Sequence, residues 1–104
     1  MNEAAHFGLS DTTLAKIREV LAQHPSVASA VIYGSRAKGS YKSGSDIDLT
    51  LHGAGLSATE LMTIAEEFEE LLLPYAIDLS LFEQIDNASL RSHVERVGQL
   101  LYSR

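Results

Sequence analysis

Apolar residues recur along this chain with two periods. Leu14, Ile17, Val20 and Leu21 are spaced as one buried stripe of a helix. Ser10 stands where its N-cap belongs, and Leu9 and Leu14 can staple across it. The helix should stop near His24, because the residue before Pro25 is biased out of the helical region. Val27 to Tyr33 is short, β-branched and apolar without clean alternation, as a strand covered on both faces reads. Asp46 to Leu51 alternates strictly: Ile47, Leu49 and Leu51 point one way, and Asp46, Asp48 and Thr50 the other. Ser57 to Glu60 has the form of a capping box, with Leu61, Ile64, Ala65, Phe68, Leu71 and Leu72 as the helical stripe behind it. Ala76 to Phe82 alternates again, with Ile77, Leu79 and Leu81 facing the core and Asp78, Ser80 and Phe82 opposite. Asn87 caps a last helix bearing Leu90, Val94 and Val97; Gly98 ends it, and Gln99 to Tyr102 reads as a short edge strand.

The order α-β-β-α-β-α, with a final β, predicts an α+β fold: a mixed β-sheet with helices on one face. If the helices cover the face bearing Ile47, Leu49, Leu51, Ile77, Leu79 and Leu81, then Asp46, Asp48 and Asp78 converge on the bare face. The 104 residues read as a single domain, 1–104, without repeats or a linker. Phe82 and the Leu100-Leu101-Tyr102 run are the expected apolar contacts for a partner.

Composition narrows the chemistry. There is no cysteine, so neither a disulfide framework nor a thiolate metal site is available. No apolar run approaches the ~18 residues of a membrane span. The N-terminus lacks the basic end and apolar core of a signal peptide, and the expectation is a cytoplasmic protein with no membrane partner. The net charge is −6, and residues 56–104 carry nine acids against three cations. That surface argues against nucleic acid as a partner, since phosphate contacts need a basic face. The exception is an island of Arg36, Lys38 and Lys42, which suits a nucleotide better than a duplex.

That island lies inside the chain's most informative stretch. Gly34-Ser35 ends the first strand, ten residues follow, and Asp46-Ile47-Asp48 opens the next strand. Two carboxylates two residues apart on a strand point the same way and can lean onto one hard cation, with Mg²⁺ preferring such oxygen ligands. A third carboxylate on another strand can hold a second metal or take a proton from an attacking hydroxyl. Gly34 lets the backbone approach a phosphate, and Ser35 can donate its hydroxyl and N–H. Each piece alone has an ordinary reading as a turn or a solvated acid; the conjunction points to metal-assisted phosphoryl or nucleotidyl transfer. His6, His24, His52 and His93 show no metal-ligand spacing and read as structural. Tyr33 reads as core and Tyr41 as an exposed loop residue.

The run GSRAKGSYKSGSDIDL resembles the signature of the polymerase-β-like nucleotidyltransferase superfamily, and AIDLSLF resembles the strand bearing its third carboxylate. Length and loop form look like its smallest branch, the prokaryotic minimal nucleotidyltransferases (MNT). The resemblance implies Gly34 and Ser35 at the triphosphate of ATP, Asp46 and Asp48 as Mg²⁺ ligands, and Asp78 as third ligand or base. It implies a phosphate role for Arg36, with Lys38 and Lys42 weaker choices. The acceptor-binding part is missing from so short a chain, so either the chain self-associates or another protein completes the site or is the acceptor. The minimal branch usually pairs with an all-helical HEPN-family toxin encoded beside it. The resemblance therefore implies the antitoxin of a type VII-like toxin–antitoxin pair, transferring AMP to a toxin tyrosine. The alternatives are an antitoxin that neutralises by binding alone, nucleotidyl transfer to a small molecule, and a plain nucleotide-binding module.

Overall fold

Three side chains start the three long helices of the computed structural model, which describes residues 7–104. Ser10 accepts from the Thr13 N–H at 3.0 Å and starts α1 (Asp11–Ala22). Ser57 accepts from the Glu60 N–H at 3.1 Å and starts α3 (Ala58–Glu70). Asn87 accepts from the Leu90 N–H at 3.0 Å and starts α4 (Ala88–Val97). Each bond satisfies a backbone donor that the first helical turn leaves without a partner. Between the helices lie β1 (Ser29–Tyr33), β2 (Ile47–His52), β3 (Ile77–Leu81) and β4 (Gln99–Ser103). The loop expected over residues 36–45, for which the sequence also allows one helical turn near Ala37, opens with a short helix α2 (Gly34–Lys38).

The sheet order is β3-β2-β1-β4. β2 and β3 are parallel, joined by the α3 crossover, and the other two pairings are antiparallel. The sheet is therefore mixed, as the element order predicts. Leu14, Ile17 and Leu21 of α1 and Ile64 and Phe68 of α3 share one core with Ala30, Ile32, Ile47, Leu49, Leu51 and Leu101.

One helix departs from the expected single-faced cover. Val94, with Leu90 and Val97, packs against Val31, Tyr33 and Phe82, which belong to the other face of the sheet. α4 thus covers part of the acid-bearing face. Gly98 permits this: a Cβ there would lie 2.6 Å from the Val31 side chain. Phe82, expected as a partner contact, is buried in a short 3-10 turn, with His52 stacked at 4.7 Å and the Arg91 guanidinium at 4.4 Å. Leu100 is exposed on the β4 edge. No helix among the described residues is long and apolar enough to cross a membrane. His6 lies outside the described residues.

His24 supplies a cross-link that periodicity cannot show. Its Nδ1 lies 2.9 Å from Glu60 Oε2 and its Nε2 2.8 Å from Glu67 Oε1. The capping box is therefore half made, because the Glu60 carboxylate turns to His24. A neutral imidazole donates from one nitrogen; carboxylates at both favour the imidazolium. Burial opposes that charge, but the hydrogen bonds to Glu67 and Glu60 outweigh it and raise the pKa above the usual 6.5. A raised folded-state pKa gives stability that is fully present below 6.5 and lost as pH rises through the folded value. The melting temperature should therefore fall between pH 6 and 9 relative to that of His24→Gln. Parallel pH profiles for the two proteins would show that the cross-link contributes nothing.

Candidate active site

Strand register lines up the candidate residues. Tyr33 at the end of β1 pairs with Asp48 of β2, and Asp48 pairs with Asp78 of β3. Residues level on neighbouring strands point to the same face. Asp48 is half-buried, Asp78 is exposed, and Asp46 sits exposed just ahead of β2. Burial raises the Asp48 carboxyl above the usual carboxylate range; Asp78 and Asp46 add to this, and His93 opposes it. Burial likewise raises the Tyr33 phenol, a hydrogen bond with Ser80 opposes it, and Asp78 and Asp48 raise it further. These interactions place Asp46, Asp48, Asp78, Tyr33, Ser80 and His93 in one neighbourhood.

Gly34 follows Tyr33 directly and opens α2 with φ of 76°. That left-handed conformation disfavours any side chain. A Cβ there would also collide with the Asp48 carboxylate, whose Cγ would be 3.2 Å away. Gly34 is thus the residue that lets the Gly-Ser turn and the second aspartate share one spot. Ser35 lies beside it, half-buried. Its carbonyl accepts from the Ser40 N–H at 3.0 Å, folding the loop back on α2. Lys38 and Lys42 stay exposed.

The sequence reading puts Arg36 at the triphosphate; the structure turns its side chain inward. It is 2% exposed. Nε donates to the Ser45 carbonyl at 3.0 Å, Nη2 to Ser45 at 2.9 Å and to Ser43 at 3.3 Å, and Nη1 to the Phe7 carbonyl at 2.9 Å. The Tyr41 and Tyr75 ring centroids lie 5.2 and 4.7 Å from its central carbon.

His93 is the neighbour that sequence reasoning passed over. Its ring meets Tyr33 edge-on, with centroids 6.2 Å apart. Helical spacing does put it in the stripe with Leu90 and Val97, but not on a known sheet face until α4 is seen to cover the acid side. Among the described residues no three acidic or imidazole groups close into a ready-made metal cage. The donor set here is open and all-oxygen, the kind Mg²⁺ shares with water and substrate phosphates.

Comparison with known proteins bears on the family and the fold. The sequence profile of the family described as Polymerase beta, Nucleotidyltransferase matches residues 15–104. No curated protein matches the chain. A chain in the crystal structure of a toxin–antitoxin with AMP-PNP superposes with a TM-score of 0.71 at 22% identity, over 88% of this chain and 73% of that one. A chain from the complex of a tri-AMPylated Shewanella oneidensis HEPN toxin with MNT antitoxin gives 0.69 at 19% identity, over 92% and 74%. A Sulfolobus solfataricus protein described as a nucleotidyltransferase gives 0.59 at 22%, over 100% and 91%. At these identities the superpositions speak for the fold.

Gly34 and Gly39 separate two effects of a missing side chain. Gly39 also has positive φ, 84°, but a Cβ there meets nothing within 4 Å. Gly39→Ala should lower stability by about 1–2 kcal/mol from conformation alone. Gly34→Ala should cost a further ~1–3 kcal/mol because the Asp48 carboxylate must move. Urea unfolding of both proteins measures the difference, and equal losses would mean that Asp48 yields freely.

Proposed function

This chain belongs to the polymerase beta nucleotidyltransferase family, and from that premise we propose that it is a Mg²⁺-dependent adenylyltransferase that moves AMP from ATP to a tyrosine hydroxyl of a HEPN-family toxin. In that role it is the antitoxin of the pair. The register that sets Tyr33, Asp48 and Asp78 level on adjoining strands, with Gly34 directly after Tyr33 and packed against Asp48, carries the proposal. The fold shared with a chain from a complex of an AMPylated HEPN toxin and MNT antitoxin supports the choice of nucleotide and partner.

Asp46 and Asp48 would hold Mg²⁺, with Asp78 the third carboxylate. The fit rests on register and donor type: Asp48 and Asp78 are level on β2 and β3, Asp46 lies two residues before Asp48, and all three offer the oxygen ligands that Mg²⁺ prefers. When bound, Mg²⁺ neutralises charge on the phosphates and on the developing transition state. Gly34, with no side chain, lets the triphosphate approach the backbone, and Ser35 donates its hydroxyl and N–H to phosphate oxygens. Asp78 is the more open of the β2–β3 pair of acids, so an incoming hydroxyl meets it first. The acceptor oxygen bonds to the α-phosphorus, the bond to pyrophosphate breaks, and the hydroxyl proton passes to the Asp78 carboxylate.

Intact-mass measurement tests this directly. The HEPN-family protein of the pair, incubated with this chain, ATP and Mg²⁺, should gain one or more AMP units. Asp46→Asn with Asp48→Asn should abolish the gain, and Asp78→Asn should slow it by about 10²-fold or more. A stable complex with no gain in mass would refute adenylyl transfer and leave neutralisation by binding. A gain in the Asp46→Asn/Asp48→Asn protein would refute the assigned site.

A further inference from the structure

We propose that Arg36 is a positioning residue, which holds the acid-bearing segments in register with Gly34-Ser35 and does not bind phosphate. This rests on the nucleotidyltransferase reading for its catalytic consequence, though not for its structural one. A buried guanidinium is costly unless its donors are satisfied. Here the donors reach three backbone carbonyls, and two tyrosine rings flank the plane. Swinging the side chain out to a phosphate would forfeit all of these bonds to the Phe7, Ser43 and Ser45 carbonyls.

The partners matter because of where they lie in the chain. Ser45 immediately precedes Asp46, and Tyr75 stands three residues before Asp78. Arg36 itself is two residues after Gly34. One group therefore ties together the strand-to-helix turn, the segment delivering Asp46 and Asp48, and the segment delivering Asp78. Its fourth anchor is Phe7, which holds φ of 58°, the left-handed region that bulky side chains avoid. That conformation is followed by Gly8 at 75°, where a Cβ would strike the Tyr41 ring. The Phe7-Gly8 turn thus aims one carbonyl at Nη1 and leaves room for the ring beneath the guanidinium.

Lysine cannot repeat this. A planar fork reaches the Ser43, Ser45 and Phe7 carbonyls at once with the Tyr41 and Tyr75 rings close to its central carbon; an ammonium is a compact point charge. A phosphate contact makes the opposite demand, since a lysine keeps the charge.

The test compares Arg36→Lys and Arg36→Ala with the native chain. Hydrogen–deuterium exchange of residues 39–46, without nucleotide, should be faster by about tenfold or more in both variants. AMP transfer at saturating ATP should fall by on the order of 100-fold per folded molecule, with KM for ATP changing less than about threefold. Millimolar guanidinium should restore part of the rate to Arg36→Ala and none to Arg36→Lys. If Arg36→Ala fails to fold, Tyr75→Leu removes one ring and should show the same pattern more weakly. Native-like exchange in Arg36→Lys, with a raised KM and an unchanged saturating rate, would overturn the proposal in favour of a phosphate contact. A rate that falls only with the folded fraction would overturn it in favour of a purely structural role. Absence of transfer by the native chain would sink the adenylyltransferase reading while leaving the exchange result to decide the role of Arg36 in the loop.

Discussion

Like charges held side by side are the constraint on which this fold turns. Asp48 and Asp78 are level on neighbouring parallel strands, with Asp46 two residues from the first. A pair of unit charges 4 Å apart repels by roughly 1 kcal/mol in water and about 4 kcal/mol at the dielectric of a protein surface. The same strands supply the opposing term. Ile47, Leu49 and Leu51 alternate with the acids on β2 and are fully buried on the other side. Each such side chain contributes about 1.5–3 kcal/mol by leaving water. A strand with three of them can therefore hold its carboxylates against their neighbours. Strict alternation is what separates the two roles, since a one-residue slip would exchange them.

The second layer shapes the site rather than the core. α4 crosses the acid face over β1, bringing Val94 onto Tyr33 and His93 beside the Tyr33 ring. Thr50 and Ser80 fill the face beyond the carboxylates, with the Ser80 hydroxyl donating to Thr50 Oγ1 at 2.9 Å. Asp48 is left half-covered and Asp78 open. The difference in exposure between two acids of the same type follows the sheet order, with β2 inside the sheet and β3 at its edge. It separates a sheltered carboxylate from one open to solvent.

Much of this was readable from local pattern. The caps at Ser10, Ser57 and Asn87, the alternation of β2 and β3, and the β4 edge strand all depend on neighbours within a few residues, and all appear where expected. Features set by distant partners were not readable. His24 stops a helix in sequence but bridges two carboxylates of α3 in space. His93 fits an amphipathic stripe in sequence, yet its neighbourhood depends on which sheet face α4 chooses. Phe82 ends an alternating strand but is covered by Arg91 and His52. Arg36 is the sharpest case. A cation beside a phosphate loop invites assignment to phosphate, and the residues that claim it, Phe7 and Tyr75, lie far away along the chain.

The loop between Ser35 and Asp46 therefore divides its positive charge by depth. Arg36 is buried, and its directional donors are consumed in fixing carbonyl positions. Lys38 and Lys42 are exposed, their charges carried on flexible stems. Under the proposed function, a nucleotide arriving with several negative charges would meet the lysines as a diffuse field, which attracts without fixing orientation. On that reading orientation would have to come from groups held in place: the Gly34 backbone, the Ser35 hydroxyl and the carboxylates held level by strand register. A buried arginine that freezes the loop beneath the site serves that requirement better than an exposed one reaching across it. Phosphoryl transfer depends chiefly on position and charge, and under the proposed function the two demands would fall to different cations of one short loop.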